Sequence, residues 1–395
     1  MRVAVLYARA ALAFLWRTLL FRTKFIAVTG SFGKTTAKDF LAAMLARLGP
    51  TVKTDGNRNG AIGISQAILR TRPWHRFVVM EIGTDRKGFM TRGSLLMRPD
   101  VVLILRVART HTKTFRTLEA TAAEKRGLLR FLRPGGAAVL NGDDPRVAAM
   151  AAGLRRKVVR FGSSADGDVW ARDAASKWPG RLTFTAGRGG EETEVRTRLV
   201  GTHWLSSVLG AMAAATACGA TLAQAAAAVE DIEPYTARMQ PVELPSGAVL
   251  LRDEYNGSID SFEAAMEVLG QAEAQRRLLI ISDCSDCKLK PRDRVRHYAR
   301  LASQCGAELV FISDRTPEGA RGFLRFEDAA MFLRRELRAG DLALLRGRTC
   351  DHLSRLYFAL LGDVDCHVPT CDSRRPCDEC ARLGFTPAVG GVCAE

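Results

Sequence analysis

The chain has 395 residues, 47% of them hydrophobic and 25% charged, enough apolar side chain for two or three packed domains, which excludes a disordered or fibrous protein. Its 58 Lys and Arg outnumber 42 Asp and Glu, leaving a net charge of +16. That excess suits an anionic partner such as nucleotide phosphate, an acidic substrate, nucleic acid or anionic lipid, although a solvated Arg-rich surface gives the same count.

The first element covers residues 1–24. Val3 to Trp16 is apolar except for Arg9, and it is too short to span a bilayer, which takes about 20 residues. Arg2, Arg9 and Arg17 recur near one helical face, so the segment reads as an amphipathic helix with a narrow basic stripe. Such a helix either lies on a membrane surface or packs on the domain that follows. Arg9 interrupts the apolar run and no A-x-A site precedes the next strand, so a signal peptide is not expected. The expected location is cytoplasmic, at most peripheral at the inner face of the membrane.

Residues 25–245 alternate short β-rich runs with helical stretches, the pattern of a parallel sheet with helices on its faces. Phe25–Thr29, Phe77–Glu81, Val101–Leu105 and Ala137–Asn141 are the candidate strands. Phe40, Leu41, Met44, Leu45 and Leu48 give the first following helix an apolar face, and Gly49-Pro50 stops it. Residues 181–200 read as a hairpin around Gly187–Gly190, and Ser206 to Val229 as one Ala-rich helical stretch. Residues 246–361 form a second, Rossmann-like α/β block with candidate strands at Leu278–Ser282, Glu308–Ile312 and Asp341–Leu345. Residues 362–395 are a Cys-rich tail. The expected fold class is α/β, a central P-loop-type parallel-sheet ATPase domain followed by that second domain.

The chemistry starts where Phe25–Thr29 runs into Gly30-Ser31-Phe32-Gly33-Lys34-Thr35-Thr36 and a helix. A strand, a Gly-containing loop and a helix N-terminus make an anion site, because backbone N–H groups and the helix dipole converge on phosphate. Lys34 is placed to reach the β- and γ-phosphates of ATP and Thr35 to ligate Mg²⁺. Position 28 is Val, so the strict G-x-x-x-x-G-K-[ST] pattern fails and the loop has the form G-S-x-G-K-T-T.

That loop resembles the Mur ligase family, and further segments follow in family order: Asn57-Arg58-Asn59 with Gly63, Glu81-Ile82-Gly83, Thr110-His111, Glu124-Lys125, Asn141-Gly142-Asp143-Asp144, Gly201-Thr202-His203, Arg238-Met239 and Asp253-Glu254-Tyr255-Asn256. The first and last resemble the branch that adds D-alanyl-D-alanine to the muramoyl tripeptide. The resemblance implies an ATP-dependent ligase that makes an acyl phosphate and joins it to an amine or amino acid. It further implies that Glu81 and His111 hold a second Mg²⁺ and that Lys125 matches a lysine carbamoylated in several members. Arg238 and Asp253 would contact ATP, the Asp on ribose, and Asn141 would shape the nucleotide pocket. Phosphoryl transfer crowds negative charge together, so cations and positioning carry most of such a reaction.

Four departures qualify the pattern. Only 24 residues precede the first strand, where the family has its uridine-nucleotide domain, so that domain is expected to be missing. Trp204 replaces the Asn that helps hold adenine; it either stacks on the base or fills core. After Asn256 the chain reads Gly257-Ser258-Ile259, and Arg346-Gly347-Arg348 and Ser282–Cys287 replace segments of the domain that binds the amine. In the tail, Cys366, Cys371, Cys377 and Cys380 offer four ligands for a structural Zn²⁺, against the alternative of free thiols. Small-molecule acid and amine are the expected partners, with nucleic acid not expected. The rival reading is an ATP- or nucleic-acid-binding protein that kept the fold and lost ligation.

Overall fold

The computed structural model describes residues 2–56, 58–83, 86–108, 114–255, 257–284, 289–368, 371, 373 and 376–387. It divides into two compact units. The first comprises residues 1–175, 182–198 and 202–233, and the second residues 176–181, 199–201 and 234–395. The main division therefore falls at 233/234, before the expected 245/246. The N-terminal helix belongs to the first unit and the Cys-rich tail to the second.

The first unit opens with α1 (Arg2–Leu19), β1 (Lys24–Thr29), α2 (Lys34–Ala46), β2 (Thr51–Lys53), α3 (Ala61–Arg70), β3 (Phe77–Glu81), α4 (Phe89–Met97), β4 (Val101–Ile104), α5 (Leu118–Arg126) and β5 (Ala137–Asn141). It continues through α6 (Pro145–Ala148), β6 (Lys157–Gly162), β7 (Val169–Ala175), β8 (Thr183–Arg188), β9 (Glu191–Arg196), α7 (Leu205–Cys218) and α8 (Leu222–Val229). The strands form one nine-stranded sheet in the order β2-β3-β1-β4-β5-β6-β7-β8-β9, parallel as far as β7 and antiparallel beyond it. Strands β3, β4 and β5 are buried along their whole length, as expected of a parallel sheet covered on both faces. The chain crosses from one side of β1 to the other between β3 and β4, so the loop after β1 lies where the strand order reverses, the usual ligand position in open α/β sheets.

The expected hairpin is β8–β9. Gly189 and Gly190 form its turn at φ +55° and +87°, values that a two-residue turn of this twist demands and that only glycine adopts cheaply. The Ala-rich stretch is two helices rather than one. Gly219 ends α7 in the left-handed region at φ +111°, and Thr221 with Gln224 starts α8 through a reciprocal capping box.

The second unit contains β10 (Gln240–Glu243), β11 (Val249–Asp253), α9 (Ile259–Gln271), β12 (Arg276–Ile281), α10 (Pro291–Gln304), β13 (Ala307–Ile312), β14 (Arg321–Phe323), α11 (Phe326–Glu336), β15 (Asp341–Arg346), α12 (Ser354–Leu361), β16 (Gly362–Val364) and β17 (Phe385–Pro387). Its six-stranded sheet runs β10-β11-β15-β12-β13-β14, parallel apart from the β10–β11 pair. Among the described residues no helix is long and apolar enough to cross a membrane.

Candidate active site

In the first unit, β1 delivers the chain into the Gly30–Gly33 loop, and α2 begins at Lys34. Gly33 caps the helix at φ +74°, and a Cβ there would lie 2.0 Å from Ser207 Oγ of α7. A Cβ on Gly30 would lie 2.9 Å from Leu105 Cβ. Both glycines are thus required by close packing, and Gly33 by conformation as well. The first-turn N–H groups of α2 have no carbonyl one turn back to pair with, which leaves them available to an anion. Lys34 Nζ donates to Ser31 O at 3.2 Å, which folds the ammonium back over the loop. Ser31 itself is tied to the chain after β4. Its N–H donates to Arg106 O, and its hydroxyl donates to Ala108 O and accepts from Ala108 N.

Glu81 at the end of β3 is buried, and both its carboxylate oxygens are engaged. Thr35 Oγ1 donates to Oε2 at 2.8 Å, and Asn59 Nδ2 donates to Oε1 at 2.8 Å. The separated motifs of the sequence therefore meet at one point. Asn59 is positioned by its loop. Its carbonyl accepts from Gly83 N, and a Cβ on Gly63 would fall 1.8 Å from Arg58 O, so only glycine lets that loop close. Asn57 and His111 lie outside the described residues.

Lys38 was missed by the sequence reading. Fully buried on α2 one turn after Lys34, it donates to Thr54 O at 3.1 Å and Gly56 O at 2.7 Å. Burial pulls its pKa down, against the opposing pull of Asp39 and Glu81. A lysine at i+4 from the loop lysine, on a helix whose neighbouring positions are core, was the available signal.

Lys125 on α5 is buried, and desolvation, helped by the nearby charge of Lys34, lowers its pKa to about 7. Its neighbour Glu124 is structural, accepting from Gly88 N at 2.7 Å and Met90 N at 2.9 Å and so capping α4. Asn141, expected to shape the nucleotide pocket, uses Oδ1 to accept from Asp143 N at 2.9 Å in a tight turn. Asp143 in turn accepts from Ser163, and Asp144 caps α6 while accepting from Val107 N. Trp204 is buried beside His203, their ring centroids 4.7 Å apart, and its indole Nε1 has no hydrogen-bond partner among the described residues.

In the second unit, Arg238 and Asp253 form one cluster with Arg346. Arg346, fully buried, pairs with Asp253 and also donates to Ser258 O and Ser261 Oγ. Asp253 Oδ1 also accepts from Met239 N at 3.1 Å. Asp253, expected on a ribose, is thus engaged inside the protein. Arg238 lies over the Tyr255 ring at 4.8 Å, held between Ala237 and Met239 at φ +56° and +49°, a strained pair of non-glycine residues. A cleft of about 790 Å³ opens at the carboxyl ends of β12, β13 and β15, lined among others by Asp283, Arg294, Asp314, Arg315, Arg348 and Asp351.

Of the expected zinc ligands, Cys366 and Cys380 lie close enough to Cys377 to act on its charge. Among the described residues no group of three or more His, Cys, Asp or Glu is placed to hold a metal. Cys377 is buried with Sγ 3.4 Å from His352 Nδ1, and burial is the largest cause that pushes its thiol up to about 12. The tail is anchored in other ways. Arg252 donates to Asp378 at 2.7 and 3.0 Å and to Glu254 at 2.9 and 2.7 Å, and β16 pairs with β17.

A phosphate loop at the switch point of a parallel sheet, with a buried carboxylate bonded to the threonine in the first turn of the helix that follows, is the arrangement of a nucleotide-binding protein. The model of the Mur ligase middle domain matches residues 28–215. The UDP-N-acetylmuramoyl-tripeptide--D-alanyl-D-alanine ligase of Mycobacterium tuberculosis (strain CDC 1551 / Oshkosh) is 30% identical over 384 residues, 89% of this chain and 74% of that protein. The Escherichia coli K12 protein of the same name is 30% identical over 263 residues, 66% of this chain and 58% of that one. A MurF structure from Acinetobacter baumannii has a TM-score of 0.82 at 24% identity, covering 90% of this chain and 80% of that chain. MurF from Thermotoga maritima in complex with ADP has a TM-score of 0.78 at 20% identity, covering 90% and 83%. The chain belongs to the Mur ligase family and is an ATP-dependent acid–amino acid ligase. Of the two readings of the sequence, ligation therefore holds.

Proposed function

We propose that the chain activates a carboxylate of the muramoyl-peptide class as an acyl phosphate and joins it to an amine that itself carries a carboxylate, such as an amino acid or a dipeptide. The substrate classes follow the names of the relatives. The observation that carries the chemistry is the Thr35–Glu81–Asn59 hydrogen-bonded chain beside the phosphate loop. Its hydroxyl and carboxylate oxygens are the hard donors that Mg²⁺ takes, so these residues fit the ion, with His111 proposed as a further ligand by resemblance. Bound Mg²⁺ supplies charge neutralisation at the β- and γ-phosphates. Lys34 and the first-turn amides of α2 bind and orient the triphosphate. A carboxylate oxygen attacks the γ-phosphorus and ADP leaves. The amine nitrogen then attacks the acyl carbon, loses a proton and expels phosphate, leaving the amide.

Lys125, with its pKa near 7, has the neutral amine that carbamate formation with CO₂ requires. As the carbamate it would return a negative charge beside Lys34. The cleft at the carboxyl ends of β12, β13 and β15, with cationic and anionic side chains side by side, is proposed to hold the zwitterionic amine. Arg238 and Asp253 are proposed to serve ATP through the turn they stabilise. Peripheral contact with a membrane through residues 1–22 is proposed on the exposed face of α1.

The test is phosphate release from Mg-ATP with UDP-N-acetylmuramoyl-tripeptide and D-alanyl-D-alanine, supplied singly and together, with mass spectrometry of the product. Release that requires both, with a condensed product, supports the reading. Release indifferent to either substrate would refute these substrate classes, and acid and amine pools screened the same way would then name others.

A further inference from the structure

Helix α1 is arranged inside out. Its polar anchors face the protein. Arg17 is buried, donating to Met97 O at 2.6 Å and Arg98 O at 2.9 Å, with its guanidinium 3.9 Å from the centroid of the Phe25 ring. Trp16 Nε1 donates to Thr71 O at 2.9 Å, and Ala13 and Leu20 are buried on the same side. The basic stripe read from the sequence thus does not face solvent at Arg17, and Arg9 is half-buried. The opposite face carries Val5, Leu12, Leu15 and Leu19, exposed by 55% to 64%, at spacings that place them on one side of the helix. Ala8, Ala11 and Thr18 fill the gaps, all exposed, so no charge interrupts this face. A helix on a water-facing surface shows the reverse order.

What covers such a face follows from its margins. Tyr7, Phe21 and Trp74 border the helix region and are exposed by 67% to 73%. Trp74 belongs to the segment tied to the end of α1 by Thr23 Oγ1, which donates to His75 O at 2.7 Å. Arg22, Lys24 and Arg72 are exposed around them. From residue 1 to residue 38 the chain contains no Asp or Glu. An apolar band with aromatic residues at its edge and cations beside them is complementary to the boundary between acyl chains and anionic headgroups. A helix of this length lies flat there, since it is not one that can cross.

We propose that the outer face of α1 binds the surface of an anionic lipid bilayer, with Val5, Leu12, Leu15 and Leu19 among the acyl chains and Arg22 and Arg72 at the headgroups. This goes beyond the ligase reading and does not depend on it, because the face contains none of the site residues.

The experiment is flotation of the full chain with vesicles of equimolar phosphatidylcholine and phosphatidylglycerol, compared with phosphatidylcholine alone. The wild-type chain is expected to float with the anionic vesicles and to float less in high salt. The triple variant Leu12→Glu, Leu15→Glu, Leu19→Glu is expected to lose binding about tenfold or more, with its unfolding midpoint and ATP-dependent ligation unchanged. Wild-type chain left in the soluble fraction, or a triple variant that still floats, would overturn the proposal. A lipid-free dimer dissolved by the same triple variant would overturn it too, by assigning the face to a second copy. If the triple variant unfolds, Arg22→Glu with Arg72→Glu gives an independent reading, and flotation undiminished by that pair would count against the proposal.

Discussion

The two units put similar residue types to opposite uses. At the phosphate loop, the buried carboxylate of Glu81 is held by two neutral donors, Thr35 and Asn59. In the second unit, Asp253 is bound to a fully buried arginine, Arg346, and its charge is spent inside the protein. A strand-end carboxylate held by neutral donors can still take a cation, the role proposed for Glu81, whereas one paired with a buried arginine is already neutralised.

The largest test of that contrast is Lys34→Ala. Loss of the ammonium over the loop should lower kcat by about a thousandfold or more with far-UV circular dichroism unchanged; undiminished turnover would remove the phosphate loop from the mechanism. Next comes Asp253→Ala, which strands Arg346 and should cost about 3–5 kcal/mol of stability, read from urea unfolding. A rise in the KM for ATP with no stability loss would instead put Asp253 on the ribose and erase the contrast between the units.

Lys125→Met should abolish ligation and yet stabilise the ligand-free protein by on the order of a few kcal/mol at pH 7. The sign follows from the depressed pKa. Below about 7 the native state carries a buried charge at full cost. Between about 7 and the ordinary value of 10.5 the unfolded chain holds the proton that the native chain has lost, so wild-type stability rises with pH. The advantage of the Met variant should therefore shrink through that window and vanish above it, as pH-dependent unfolding would show. The smallest effect expected is from Trp204→Phe. If the partnerless indole N–H only fills core, its removal should leave the KM for ATP unchanged and stability equal or slightly higher; a raised KM would place Trp204 against the nucleotide. If the cysteines around Cys377 hold zinc, chelation should lower the unfolding midpoint; an unchanged midpoint would leave the tail anchored by Arg252–Asp378 and the β16–β17 pair.

The phosphate loop was legible because strand, loop and helix are contiguous, so the backbone alone dictates where Lys34 and Thr35 go. Glu81 and Asn59 were legible as motifs, though their mutual bond was not. The fate of Asp253 was hidden because its partner lies 93 residues further along the chain, a distance that no periodicity reports. The zinc expectation rested on cysteine spacing, which gave no sign that Asp378, an unremarkable acid in the same stretch, ties the tail to Arg252. Lys38 was passed over because a lysine on a helix ordinarily reads as surface, although its place among core positions of α2 was a signal.

Lys38 also has a consequence for how the enzyme spends its binding energy. Through Thr35 and Lys38, successive turns of α2 clasp the end of β3 and the Thr54–Gly56 carbonyls at once. The three segments are clamped before any nucleotide arrives, so little ordering entropy remains to be lost there when ATP docks. Slackening the clamp with Lys38→Met would surface first as weaker nucleotide affinity, with the chemical step following only at saturation.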